Sequence, residues 1–157
     1  MRAIEVGQSG DQLAWTESPE VTAGSGDVVI DVAAAGINRA DLLQAAGKYP
    51  PPPGASPILG LEVSGVIAEV GSEVTNWVVG QEVCALLTGG GYAERVAVPV
   101  GQVMPVPDGV SLIDSAGLPE VACTVWSNLV MTAGMSQDDV VLIHGGTARE
   151  ERQAIQE

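Results

Sequence analysis

Four places in this chain carry residue types and spacings that chemistry could use. The last is "VVLIHGGTAREERQAIQE", residues 140–157, where an apolar run enters the paired glycines Gly145 and Gly146. A phosphate-cradling loop begins this way, because glycine lets backbone N–H groups approach an anion at a helix N-terminus. Arg149, Glu150, Glu151 and Arg152 then stand where small residues are needed. Two carboxylates in a first helical turn put like charge where pyrophosphate should sit, at about 1 to 4 kcal/mol for an uncompensated contact near 4 Å. The two arginines offset part of that, but they cannot restore the close backbone approach that glycine permits. Asn38 precedes "RADLLQAAG" and is placed to cap a helix. Tyr49 stands beside four prolines, Pro50 to Pro53, which hold their neighbourhood extended and stiff. Thr124 shares the polar side of a later helix with Ser127 and Asn128. Each has a plain structural reading beside the chemical one: a cap for Asn38, an amphipathic packing residue for Tyr49, a helix-surface hydroxyl for Thr124.

Other conspicuous stretches point to structure. "TGGGYAE" precedes a strand, whereas a phosphate loop precedes a helix. "GLEVSGVIAEVG" places glycines where bulges and tight turns suit a curved sheet. Its Glu62 falls on a buried position and needs hydrogen-bond partners. Arg39 and Asp41 read as supports of the helix and the loop, and Lys48 as a solvated charge. Cys84 and Cys123 lie far apart in sequence and read as reduced, buried thiols.

Six basic against twenty acidic residues give a formal charge of −14, the wrong sign for tracking nucleic-acid phosphate or an anionic membrane. The first residues form no apolar signal segment, and no run of about twenty apolar residues occurs, so cytoplasm is the expected compartment. At 157 residues, 46% of them hydrophobic, the chain can bury a core.

These residues must be positioned by two kinds of structure. Short β-rich runs with Gly and Pro punctuation fill the first hundred residues: "RAIEV", "QLAWTE", "DVVIDVAAAGI", "EVSGVIAEVG", "QEVCALL" and "YAERVAVPV". One helix fits "NRADLLQAAG", with Gly47 at its left-handed close. A second starts at Pro119 and carries the stripe Val121, Ala122, Val125, Trp126, Leu129 and Val130, with Gly134 closing it. "VVLIH" then reads as a strand buried on both faces of a parallel sheet. The pattern predicts a mainly β domain with a few helices over residues 1–122, handing over at 123–157 to the start of an α/β domain.

The order of these segments, from "AAAGINRADLLQAAGKYPPPPGASPILGLEVSGVIAEVG" through "GQEVCALLTGGGYAERVAVP" and "MPVPDGVSLIDSAGLPEVACTVWSNL" to "VVLIHGG", resembles the zinc-free quinone oxidoreductase branch of the medium-chain dehydrogenase/reductase superfamily over about residues 1 to 147. The resemblance implies a GroES-like, partly open β-barrel followed by the truncated beginning of a Rossmann domain, about half of such an enzyme. It implies hydride transfer from NADPH, or NADH, to a small quinone in the cleft between the two domains. Zinc-dependent relatives are expected to have Cys in place of Asn38 and His in place of Leu61. Neither is present, so no metal is expected, and positioning of two rings with exclusion of water becomes the protein's task.

The same resemblance assigns residues. Asn38 lies at the nicotinamide end, catalytic and cofactor-binding; Tyr49 lines the substrate pocket; Thr124 contacts the cofactor near its ribose; Gly145 and Gly146 belong to the dinucleotide loop. The family's next two loop glycines fall on Arg149 and Glu151, while "AIQ" at 154–156 keeps its register. Activity of this chain by itself is therefore doubtful. The alternative is a catalytically silent GroES-like module with an apolar surface around "VWSNLVM" and "VVLI", which predicts association with a second copy of the chain.

Overall fold

The structure, a computed structural model, describes residues 1–7 and 12–144. Its centre is a five-stranded antiparallel sheet in the order β6-β3-β4-β5-β7, formed by β3 (Asp27–Ala35), β4 (Glu62–Val70), β5 (Glu82–Leu86), β6 (Arg95–Pro99) and β7 (Val103–Pro105). A hairpin of β1 (Arg2–Val6) and β2 (Leu13–Glu17) lies beside it, joined by a bridge from Ala3 to Ala93. This is the mainly β, GroES-like architecture anticipated, in open sheets.

The apolar strands dictate the core. Val28 and Ile30 of β3, Val63 and Ile67 of β4, Val83 and Ala85 of β5 and Val98 of β6 pack as one cluster. Their period-two spacing puts them on one face of the sheet. The chain bends where register shifts interrupt the β3–β4 ladder, between Val29 and Ile30 and between Val32 and Ala34, as bulges in a curved sheet require. Gly71 closes the far end of β4: its N–H donates to Asp27 O at 2.8 Å, and a Cβ there would lie 2.0 Å from Gly24 O.

Three short α-helices follow the expected signals in part. Helix α1 (Arg39–Ala45) starts at Asn38, whose extended backbone and capping box with Asp41 define the N-terminus, and ends at Gly47 with φ +68°. Helix α2 (Leu112–Ser115), capped by Ser111 accepting from Asp114 N, and β7 were not foreseen. Helix α3 (Pro119–Val125) begins at the predicted proline. It then passes into a π-helical segment, Trp126–Thr132, before Gly134 closes it at φ +71°.

Three expectations need correction. Val121 and Val125 are buried, but Trp126 is 56% exposed: it keeps the α-helical register of α3 through its N–H bond to Ala122 O, yet the cavity it lines is formed only by residues between 122 and 135, so no other described element covers that side of the stripe. "VVLIH" is not a strand: residues 140–144 adopt no regular structure, and Val140 is 98% exposed. A parallel strand exists only through its neighbours, and no strand follows β7 among the described residues. Cys123 is half-buried, whereas Cys84 is buried as expected. Gly145 and Gly146 lie outside the described residues.

Candidate functional site

The loop after α1 and the polar side of α3 face each other across a cleft of about 410 Å³. Tyr49 and Pro52 form one wall, Thr124, Ser127 and Glu120 the other. Leu61, at the entry to β4, and Leu86 and Leu87, at the exit of β5, supply apolar surface. Gln44, Thr88 and Gln102 add uncharged polar groups. Tyr49 and Thr124, 75 positions apart in sequence, thus meet in one cavity. The stiff proline run presents Tyr49 at 50% exposure instead of burying it.

Asn38 stands behind this cleft. It is 8% exposed, and its Nδ2 donates to Oε1 of Glu62 at 3.0 Å. The other oxygen of that carboxylate accepts from the backbone N–H of Glu120, also at 3.0 Å. Fully buried Glu62 therefore ties the start of α1 to the first turn of α3. These two hydrogen bonds offset part of the cost of burying its polar oxygens. The expectation that Glu62 is structural agrees with this geometry, and Asn38 combines the cap position with a side-chain bond directed to the cleft's support.

Asp41 does the same on the other side of α1. At 2% exposure, it accepts from Asn38 N at 2.7 Å, from Gly60 N at 3.3 Å and from the Tyr92 hydroxyl at 2.9 Å. Burial first, then the bond to Asp41, pushes the Tyr92 phenol well above the ordinary tyrosine range. Tyr92 went unremarked in the sequence because it follows three glycines in what reads as a turn.

Glu120 was also missed. An acidic residue just after a helix-starting proline normally reads as a favourable partner of the helix dipole. Here it lines the cleft, and its Oε1 accepts from the Thr124 hydroxyl at 3.0 Å. Thr124 retains its oxygen lone pairs for a further donor. Burial, and secondarily the charge of Glu120, raises the Cys123 thiol above its ordinary value. Burial likewise raises Cys84. Both are protonated thiols at neutral pH.

No group of three or more His, Cys, Asp or Glu placed to hold a metal ion occurs among the described residues. No helix among them is long and apolar enough to cross a membrane.

Comparison with known proteins gives this geometry a setting. Residues 24–108 match the alcohol dehydrogenase GroES-like domain family. A phenolphthiocerol synthesis polyketide synthase type I of Mycobacterium bovis is 38% identical over 148 residues, which is 93% of this chain and 7% of that protein. The crystal structure of CurK enoyl reductase superposes with a TM-score of 0.88 at 29% identity, covering 99% of this chain and 50% of that one. The quinone oxidoreductase from Thermus thermophilus, described also in complex with NADPH, superposes at 0.79 with 32% identity, covering 99% and 49%. The chain thus spans less than a tenth of that polyketide synthase and about half of each solved enzyme.

Proposed function

The chain belongs to the alcohol dehydrogenase GroES-like domain family, and from that premise we propose that it forms the acceptor side of an NAD(P)H-dependent, metal-free reductase acting on a small quinone. The observation that carries this reading is the convergence of Tyr49 and Thr124 on one cleft with Leu61, Leu86 and Leu87. An apolar surface with a few placed polar groups suits a planar, electron-poor ring. The β-rich part, residues 1–122, provides the acceptor side, and residues 123–157 begin the cofactor side, where Gly145 and Gly146 are the candidate phosphate contacts.

The donor set fits a nicotinamide at this end. Thr124 and Ser127 offer hydroxyls, Gln44 and Gln102 offer amides, and the cavity has a volume of about 410 Å³. In the complete site, Thr124 would hold the ribose end, Tyr49 would stack on or hydrogen-bond to the acceptor, and Asn38 would fix the spacing of α1 and α3 through Glu62. When bound, the reduced nicotinamide supplies a hydride, which with one proton taken up from solvent converts a quinone to its hydroquinone. The chain's own residues contribute alignment and exclusion of water.

The test is oxidation of NADPH by a quinone acceptor, followed at the nicotinamide absorbance, together with calorimetry of NADPH binding. The reading expects binding that weakens in Thr124→Val and turnover that falls in Tyr49→Phe. No heat at millimolar NADPH and no turnover would refute it for this chain. A second reading, reduction of an activated alkene, draws support from the likeness to an enoyl reductase and to a polyketide synthase. Turnover of a short enoyl thioester in preference to every quinone tried would favour it. The exposed Trp126, Met131 and Leu142 support association with a second copy, which sedimentation would test. A catalytically silent module is the reading left if both acceptors fail.

A further inference from the structure

The two walls of the cleft that holds Tyr49 and Thr124 differ in the hydrogen-bonding groups they leave for a ligand. A hydroxyl has one proton to donate and two lone pairs that accept. On the helical wall both hydroxyl protons already have acceptors within the chain. Thr124 donates to Oε1 of Glu120 at 3.0 Å, and Ser127 donates to the Thr124 carbonyl oxygen at 3.1 Å. Turning either proton toward a ligand exchanges one bond for another, whereas a ligand N–H or O–H adds a bond and breaks none. On the facing wall the Tyr49 hydroxyl makes no hydrogen bond among the described residues, so its proton is available to a ligand. The amides of Gln44 and Gln102 each carry donors and an acceptor and set no polarity of their own.

We propose that Thr124 and Ser127 are specificity-determining residues that read a hydrogen-bond donor, so that this cleft favours electron-poor rings carrying an N–H or O–H over plain quinones of the same shape. This rests on the reading of the cleft as an acceptor site. A quinone carbonyl has lone pairs and no proton: it bonds to the Tyr49 hydroxyl and meets only lone pairs at Thr124 and Ser127. A ring that turns its carbonyl to Tyr49 and a donor to the helical wall satisfies both sides. The ribose hydroxyl assigned to Thr124 is itself a donor and meets the same requirement, which leaves the choice of acceptor to Ser127 when the cofactor is bound. Leu61, Leu86 and Leu87 act in the opposite sense. A cleft lined by such groups alone would prefer the ring without the donor, because that ring gives up no bonds to water on entering.

A matched pair of naphthoquinones tests this without turnover. Amino-methyl-naphthoquinone and dimethyl-naphthoquinone are both neutral, both carry substituents on the two open quinone carbons, and differ by an NH2 in place of a CH3 of similar size. Dissociation constants of both for the 157-residue chain are measured by saturation-transfer NMR without cofactor. The expected result is an amino compound about three- to tenfold tighter than the dimethyl compound, as one added hydrogen bond gives. Thr124→Val and Ser127→Ala remove the accepting oxygens with little change of shape, and the preference should fall in the single variants and vanish when both are combined. The sign of the preference in the wild-type chain needs no variant, so a poorly folded double variant does not remove the test. A dimethyl compound that binds as tightly as the amino compound, or more tightly, overturns the assignment while leaving the acceptor site standing. A preference that survives intact in the folded double variant, or in both folded single variants, overturns it as well. If neither naphthoquinone binds the wild-type chain, the acceptor reading itself fails and this inference with it.

Discussion

Removing the carboxylate of Glu62 tests whether one buried side chain holds the two walls of the site in place. In Glu62→Ala, the Asn38 amide and the Glu120 N–H both lose the acceptors that each now finds at 3.0 Å. A buried donor deprived of its partner costs about 1–3 kcal/mol, so the pair costs about 2–6 kcal/mol before the emptied volume is counted. Glu62→Gln keeps one acceptor oxygen but turns an NH2 toward the other donor, losing about 1–3 kcal/mol. With a urea slope of about 2 kcal/mol/M, the unfolding midpoint should fall by about 0.5–1.5 M in Glu62→Gln and about 1–3 M in Glu62→Ala. Tryptophan fluorescence reads both transitions. Against a domain stability of about 5–15 kcal/mol, Glu62→Ala approaches the threshold of folding. An alanine variant within about 1 kcal/mol of wild type would refute the reasoning, since the donors would then be satisfied without Glu62. Equal losses in the two variants would show that the count of bonds is not what sets the cost.

Other consequences are as open to measurement. Gly71→Ala drives a Cβ to 2.0 Å from Gly24 O and 2.4 Å from Ser25 O, and should lower stability by at least about 1–3 kcal/mol. Gly26→Ala meets nothing within 4 Å and should stay within about 0.5 kcal/mol in the same thermal or urea melt. Tyr92→Phe removes the donor to Asp41 at 2.9 Å and should cost about 1–2 kcal/mol at neutral pH. Because the folded phenol titrates above its unfolded value, the stabilisation by Tyr92 is complete below about pH 10 and lost as pH rises beyond it, so the gap between wild type and Tyr92→Phe should narrow in alkaline urea melts. Iodoacetamide should label Cys123 slowly at pH 8, since burial and Glu120 both hold the thiol protonated. Mass spectrometry should find faster labelling in Glu120→Gln.

Much of the sheet was legible because β3, β4 and β5 alternate or run apolar between clear breakers, a local property that the strand partners reinforce. The three residues of β7 were not legible: a strand that short is defined by its ladder to β5, and Pro105 argues against one. "VVLIH" failed for the converse reason. Its apolar run describes what the segment does between two neighbours, and sequence does not say whether neighbours are there. The candidate site was readable through resemblance at Tyr49 and Thr124, whose residue types by themselves fit ordinary surface roles equally well. Glu120 was invisible because its significance lies in facing a cavity shared with the loop at Tyr49 and Pro52, a relation between distant parts of the chain. The buried partners of Glu62 and Asp41 could be anticipated as a need, since a buried carboxylate requires donors, but not as identities.

The tie made by Glu62 divides the cleft into a fixed jaw and an adjustable one. The jaw carrying Glu120 and Thr124 is pinned to β4 and to the start of α1, so substitutions that shift it also loosen the fold. The opposite jaw, Tyr49 to Pro52, belongs to no helix or strand and is exposed. A lineage could therefore remodel the size and chemistry of what it admits by changing a handful of residues on one side, at little expense in stability. Divergence of substrate among proteins built on this frame should concentrate in that loop, with the carboxylate tie as its fixed reference point.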